Sequence, residues 1–359
     1  MRRHLPAAAV LLVVVGLGYL AAVYSARPRV VARVDGRVLS PPSGQGQWIG
    51  WLEGDAQKGR LVAARRRGGR TRIAFSSAGL SGLAVVGDSA FLSKATKAEG
   101  GATEISLLRV DLADGTSEEL AALGRSADQI VAGDGWLCWH EYWEAGVPGV
   151  DFVVAAAPLN VMRACPEAGG SVSTLAVLRA DPLQVVDRPE LVGIADGHAY
   201  WLERRLAGGV QNTVIRRAAV AGGEPETLLR ERGRRTAALS SQALLWTAPS
   251  LEAAEPMTFA AVKRMGLEGG EPRVIADWLE PRTTVLASNA YAYAQGREWL
   301  WGLGMSREEQ RPLHEAPGGL VTAAILGDQE YFVIRSAGGL AIARRPLTWW
   351  ARARGLFPA

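Results

Sequence analysis

The sequence predicts an all-β chain: a β-propeller of about seven four-stranded blades, with six as the alternative, after an N-terminal transmembrane helix. Three observations carry this. An uncharged apolar run opens the chain, an aromatic strand signature returns at intervals of about 40 to 60 residues, and Gly-rich turns recur at fixed places in each return.

The apolar run comes first. Met1-Arg2-Arg3-His4 precedes a stretch from Leu5 to Ala26 with no charged residue. About 20 apolar residues cross a bilayer, and basic residues ahead of the run hold that end in the cytoplasm. Residues 1–28 therefore read as a signal anchor, which makes the cytoplasmic membrane a partner through residues 5–26. A cleaved signal peptide is the alternative, with Val23-Tyr24-Ser25-Ala26 as its cleavage site. On either reading the rest of the chain lies on the extracytoplasmic side, periplasmic or extracellular.

Residues 29–345 hold the repeat. Gly133-Asp134-Gly135 leads into Trp136-Leu137-Cys138-Trp139-His140-Glu141, as Ala195-Asp196-Gly197 leads into His198-Ala199-Tyr200-Trp201-Leu202-Glu203. The same shape, a small polar turn and then about five apolar or aromatic residues, begins near residues 47, 86, 132, 194, 240, 287 and 326. A hairpin follows. Asn212–Leu229 turns on Gly222-Gly223-Glu224-Pro225, Met257–Ala276 on Gly269-Gly270-Glu271-Pro272, and Ile105–Ala121 on Asp114-Gly115. Such pairs supply the positive φ of tight turns, and Val, Ile, Leu and Thr beside them favour strands. No helical period lies between the units, which excludes α/β alternation. The last unit is short, and strand-like residues 27–42 are free to complete it and join the chain ends. The third unit carries extra sequence from Glu141 to Val161.

Composition narrows the class. At 48% hydrophobic and 21% charged the chain is globular, and 42 Gly with 12 Trp suit short strands and turns. The net charge of +4 comes from scattered arginines such as Arg65, Arg66 and Arg67. They read as a solvated face or loop, and no nucleic-acid partner is expected. Cys138 and Cys165 are either a pair or two buried thiols, too few for a disulfide framework. Residues 346–359 form an amphipathic tail containing Trp349, Trp350, Arg352, Arg354, Leu356 and Phe357, suited to docking on the rim or to a membrane surface.

Cys138, His140 and Glu141 invite a catalytic or metal reading. Alternation along a strand puts Cys138 and His140 on one face, Trp139 and Glu141 on the other. A structural metal wants about four ligands, and no metal or cofactor is expected. Val85–Phe91 lacks the partner motif of the esterases it echoes, and Asp111–Glu119 is too short for a calcium loop of about 12 residues.

The Asp-Gly-x-x-Tyr-Trp signature with Gly-Gly-x-Pro-x-x-Leu, strongest at Ala195–Leu229, resembles the extracytoplasmic TolB-like propellers of bacteria. It also resembles the propeller domains of low-density-lipoprotein-receptor type. The likeness covers residues 44–345. Tyr200-Trp201-Leu202-Glu203 matches the receptor signature Tyr-Trp-Thr-Asp in part. The resemblance implies a fold and brings no catalytic residues.

The expected function is accordingly a membrane-tethered, non-catalytic scaffold that binds an envelope protein, peptide or glycan. The candidate binding loop is Glu141, Tyr142, Trp143, Asp151 and Phe152. The alternative is a propeller lyase or hydrolase acting on an extracellular polymer, with the recurring Asp88, Asp134, Asp196 and Asp328 at the channel or in turns that they cap.

Overall fold

The computed structural model describes residues 28–347, apart from 56, 67–69, 98–102, 125–126, 144–158, 180–184, 187–188, 208–209, 251–258, 288–291, 304–309 and 327. Every element among the described residues is a strand, and no helix there is long and apolar enough to cross a membrane. The proposed anchor, residues 5–26, lies outside the described residues, as does nearly all of the tail.

After β1 (Arg29–Arg33), the strands fall into seven antiparallel sheets. Blade 1 is β2 (Arg37–Ser43), β3 (Trp48–Gly54), β4 (Gly59–Arg65) and β5 (Arg72–Ser77). Blade 2 is β6 (Leu80–Val86), β7 (Ser89–Lys97), β8 (Thr103–Asp111) and β9 (Ser117–Leu123). Blade 3 is β10 (Ala127–Gly133), β11 (Trp136–Trp143), β12 (Leu159–Pro166) and β13 (Ser173–Arg179). Blade 4 adds the short β14 (Val185–Val186) to β15 (Glu190–Ala195), β16 (His198–Ala207), β17 (Val210–Ala219) and β18 (Glu226–Arg232). Blade 5 is β19 (Ala237–Leu239), β20 (Ala243–Pro249), β21 (Ala260–Gly266) and β22 (Gly269–Leu279). Blade 6 is β23 (Thr284–Ala287), β24 (Ala292–Gln295), β25 (Trp299–Leu303) and β26 (Arg311–Glu315). Blade 7 is β27 (Leu320–Leu326), β28 (Gln329–Ser336) and β29 (Gly339–Pro346), with β1 as its fourth strand.

Seven blades, not six, form the ring. The recurring signature is the second strand of each blade, and the Asp-Gly turn joins it to the innermost strand. Residues 27–42 divide: β1 completes blade 7 by pairing with β29, Arg29 opposite Arg344, while β2 opens blade 1. The innermost strands touch in sequence around the ring, and β2 meets β27 to close it. Antiparallel order then gives the ring two distinct ends. The turns between first and second strands, and between third and fourth, lie at one end, here the mouth. The hairpins between second and third strands, and the blade-to-blade connectors, lie at the other.

Seven apolar cores lie between blades, one at each joint. Blades 7 and 1 share Trp51, Val62, Tyr331 and Ile342, for instance, and blades 3 and 4 share Cys138, Met162, Trp201 and Ala218. Trp51, Trp139, Trp201 and Trp246 occupy the same place in the second strand, and each packs toward the preceding blade with no exposed surface. A buried indole removes on the order of 200 Å² from water, worth about 5 kcal/mol before entropy.

The indole nitrogens also need acceptors. Three are met two residues along the same strand face: Trp51 Nε1 donates to Glu53 at 2.9 Å, Trp139 to Glu141 at 2.8 Å and Trp201 to Glu203 at 3.1 Å. Trp246 donates instead to Glu231 of blade 4, at 3.3 Å. Each buried glutamate in turn meets an arginine. Arg60 donates to Glu53 at 2.9 Å, and Arg163 lies 3.3 Å from Glu141. Glu203, with no exposed surface, accepts from Arg205 at 2.5 Å and has Arg216 Nε at 3.0 Å as an ion pair rather than a hydrogen bond. Removing one member of such a set leaves an uncompensated buried charge. Glu203→Ala is expected to lower unfolding stability by about 3–5 kcal/mol, read as a drop in the denaturant midpoint at unchanged slope. A loss below about 0.5 kcal/mol counts against this account of the strand signature.

Candidate functional site

The mouth end of the channel holds a cavity of about 1550 Å³, lined by turn-end residues from the inner strands of all seven blades. Its wall is apolar on one side, with Val85, Ile130, Val192, Ile194 and Leu239, and polar where the ring closes. There Arg29, Arg65, Arg66 and Arg344 line it. The carboxylates in the described lining are Asp134 and Asp328, which leaves four arginines against two aspartates, an excess of two positive charges.

The closure of the ring assembles these arginines. Arg29 and Arg344 are cross-strand partners in blade 7, while Arg65 ends β4 of blade 1 and Arg66 follows it. Arg66 donates to the Gly46 carbonyl at 2.8 Å and lies 3.4 Å from Asp328. Its own carbonyl accepts from Arg344 and, at 3.5 Å, from the Tyr331 hydroxyl. Burial raises the Tyr331 phenol above its usual value, and the Arg344 hydrogen bond works against that rise. The Arg65 guanidinium sits 5.4 Å over the Trp48 ring, a cation–π contact that fixes an otherwise loose side chain. Gln45 reaches past blade 2 to donate to the Ala132 carbonyl of blade 3 at 3.2 Å.

The recurring aspartates differ from the turn caps expected of them. Asp134 (φ 52°) and Asp196 (φ 50°) form the turns with their backbones, each followed by a Gly of positive φ. That is the two-residue geometry Asp-Gly favours, and it needs no help from the side chain. The carboxylates bridge blades instead. Asp88 accepts from Gln47 at 2.7 Å and Trp48 at 2.8 Å, both in blade 1, and Asp134 accepts from the Gly197 amide of blade 4 at 3.2 Å. Asp88 and Asp196 stand outside the cavity lining.

The candidate binding loop is placed only in part. Glu141 is 1% exposed and committed to Trp139 and Arg163, so it belongs to a joint between blades. Tyr142 and Trp143 lie in β11, opposite Asn160 and Leu159. Asp151 and Phe152 fall outside the described residues. His140 is buried on the other face of β11, its Nε2 2.7 Å from Asn160 Oδ1. In the Asp111–Glu119 hairpin, Asp111 accepts from the Ala113 amide at 2.6 Å and Asp114 from the Thr116 amide at 2.7 Å, so these carboxylates serve the turn. The Thr116 amide and hydroxyl hold Asp114 below the usual carboxylate range.

Cys138 and Cys165 are both free and fully buried. Cross-strand pairing sets Cys138 opposite Ala164 and Cys165 opposite Leu137, which puts the thiols in different cores on opposite faces of the sheet. Burial pushes the Cys165 thiol up to about 11, and Cys138 higher still. Since the thiolate is the nucleophile, the native protein is expected to resist alkylation at pH 8 and to take up two equivalents of reagent once unfolded. Fast native labelling is the opposing result.

No family model matches the chain, and no curated protein matches it. Solved structures do. An oligogalacturonate lyase in complex with manganese superposes with a TM-score of 0.59 at 11% identity, covering 90% of this chain and 96% of the lyase. The β-propeller domain of the Trilobed protease from Pyrococcus furiosus gives 0.54 at 11% identity, over 90% and 97%. Acylaminoacyl peptidase from Pyrococcus horikoshii gives 0.58 at 10% identity, over 93% of this chain and 55% of the peptidase. This chain thus spans about half of that peptidase's length. At such identities the likeness shows the fold alone: this chain is a seven-bladed β-propeller.

The comparison corrects two expectations, that the chain is a non-catalytic interaction scaffold and that it is not an enzyme. The propellers it is similar to are a lyase and parts of peptidases, which favours the alternative of a propeller enzyme. Lack of a compact catalytic motif does not separate the two, because a mouth built from seven blades draws its residues from distant positions in the chain. Among the described residues no group of three or more His, Cys, Asp or Glu is placed to hold a metal ion.

Proposed function

We propose that the protein is a propeller enzyme, a lyase or hydrolase, that cleaves an anionic extracellular polymer at the channel mouth. The observation that carries this reading is the cavity of about 1550 Å³ with its cluster of Arg29, Arg65, Arg66 and Arg344. A cleft lined by one sign of charge concentrates substrate of the opposite sign, and guanidinium groups match carboxylate and sulfate in shape. The lyase of the same fold is named for oligogalacturonate, a chain of acidic sugars, which supports the same class of substrate. We further propose that residues 5–26 hold the propeller on the outer side of the cytoplasmic membrane.

The chemistry follows from the groups present. An arginine against a uronate carboxylate stabilises the charge that develops when the neighbouring carbon loses its proton. Asp134 and Asp328 are the carboxylates in the described lining that can take a proton in elimination, or serve as the acid and base of hydrolysis. Arg66 lies 3.4 Å from Asp328 and holds that carboxylate at the mouth.

Full-length protein incubated with acidic and neutral polysaccharides is expected to shorten the acidic ones and leave the neutral ones intact. Asp134→Asn and Asp328→Asn are expected to lower kcat by about 10²- to 10⁴-fold with an unchanged melting temperature. Asn tolerates the left-handed backbone at position 134. Arg65→Gln and Arg66→Gln are expected to raise KM. Absence of cleavage across the panel, or full activity in both Asn variants, overturns the reading.

A further inference from the structure

Both ends of the described chain leave the propeller at the mouth. β1 begins at Arg29, which lines the cavity. At the other end Leu347 is buried in the joint between blades 6 and 7, and its amide donates to the Asp328 carbonyl at 2.9 Å. The two outward sequences are the membrane-seeking parts of the chain. Residues 5–26 are largely apolar and carry no charge, and residues 348–359 carry Trp349, Trp350, Arg352, Arg354, Leu356 and Phe357. Trp and Arg are at home at a membrane interface. Ala26 and Arg29 are three Cα steps apart, at most about 11 Å. That is of the same order as the Debye length of about 8 Å at physiological salt. A span ending at Ala26 therefore holds the arginine side of the mouth within electrostatic reach of the lipid headgroups.

Resting on the polyanion reading of the mouth, we infer that the propeller stands on the membrane with its channel mouth turned toward the lipid. The polymer it takes is then one carried at that surface, an anionic chain with a lipid-attached end. The opposite end of the ring, with the β11–β12 hairpin and the blade connectors, points away from the membrane. The cavity lining carries four arginines against two aspartates, and residues 348–359 add two arginines and no carboxylate side chain, while the surrounding mouth-end turns carry the exposed Asp88, Asp114, Asp196 and Glu224. The lining attracts an anionic polymer.

The test uses full-length protein in nanodiscs of mixed zwitterionic and anionic phospholipid. A fluorophore is placed at Glu224→Cys, in the exposed turn between β17 and β18 at the mouth end, or at Gln57→Cys, in the exposed hairpin between β3 and β4 at the other end. The buried Cys138 and Cys165 do not compete for the label. A lipid-borne quencher is expected to quench the Glu224→Cys label several-fold more than the Gln57→Cys label. Equal or reversed quenching overturns the orientation, as does a mature chain that begins beyond Ala26. In a second arm, polygalacturonate coupled to a lipid in the same disc is expected to bind at least about tenfold more tightly than free polygalacturonate, through its raised effective concentration. The Arg65→Gln/Arg66→Gln variant is expected to lose that binding. Tight binding of the free polymer with no gain on coupling overturns the membrane-borne substrate while leaving the polyanion enzyme standing. Failure to bind either form overturns both.

Discussion

Among the described residues no blade has an apolar core of its own. The seven apolar cores lie at the joints, so each sheet is buried only because it has a neighbour on both sides. An open end would expose two sheet faces at once. The joint between blades 7 and 1 is where that danger is met, because there the chain must connect its beginning to its end. It does so with a strand. β1 crosses to blade 7 and pairs with β29, which ties residues more than 300 apart in sequence. The Trilobed protease propeller that shares the fold is described as having an open velcro topology; this chain closes.

The same joint supplies the arginines of the mouth. Arg29 and Arg344 come from the strands that close the ring, and Arg65 and Arg66 from the blade they close against. Placing like charges together at a seam costs Coulomb energy, lessened here by solvent at the mouth and by Asp328 beside Arg66. A cluster kept at such a cost is a functional candidate on physical grounds. The buried Glu53, Glu141 and Glu203 differ in kind. Each is matched to an indole nitrogen and an arginine, which satisfies the polar groups that a tryptophan-rich interface would otherwise leave orphaned.

Sequence made the architecture legible because a propeller repeats itself. Turn and strand signals return often enough that one weak unit, such as blade 6 with its four-residue β23 and β24, is carried by the others. Trp139 and Trp201 announced the joint cores through their common slot. The role of Glu141 did not follow from sequence, because a Trp-x-Glu spacing on one strand face looks like any alternation until Arg163 and the neighbouring blade are in place. The arginine cluster was hidden for another reason. Residues 29, 65, 66 and 344 share no motif, and only the closure register brings them to one rim. The aspartates were half legible: their recurrence marked the turns, but whether a carboxylate faces its own turn, the next blade or the channel depends on backbone φ and blade stagger.

The β11–β12 hairpin carries a further consequence. Its pairing runs without interruption through eight residue pairs, from Trp136 opposite Pro166 to Trp143 opposite Leu159, before the chain departs on residues 144–158. The stem is complete below the excursion, so the ring does not depend on what the excursion contains. Loop-closure entropy rises only slowly with length, and a closed stem of this kind tolerates insertion far better than a turn at the mouth, where side chains bridge blades. Within this fold the hairpin is therefore the natural port for evolutionary novelty: sequence of any length can be grafted or lost there while closure, joint cores and mouth stay as they are.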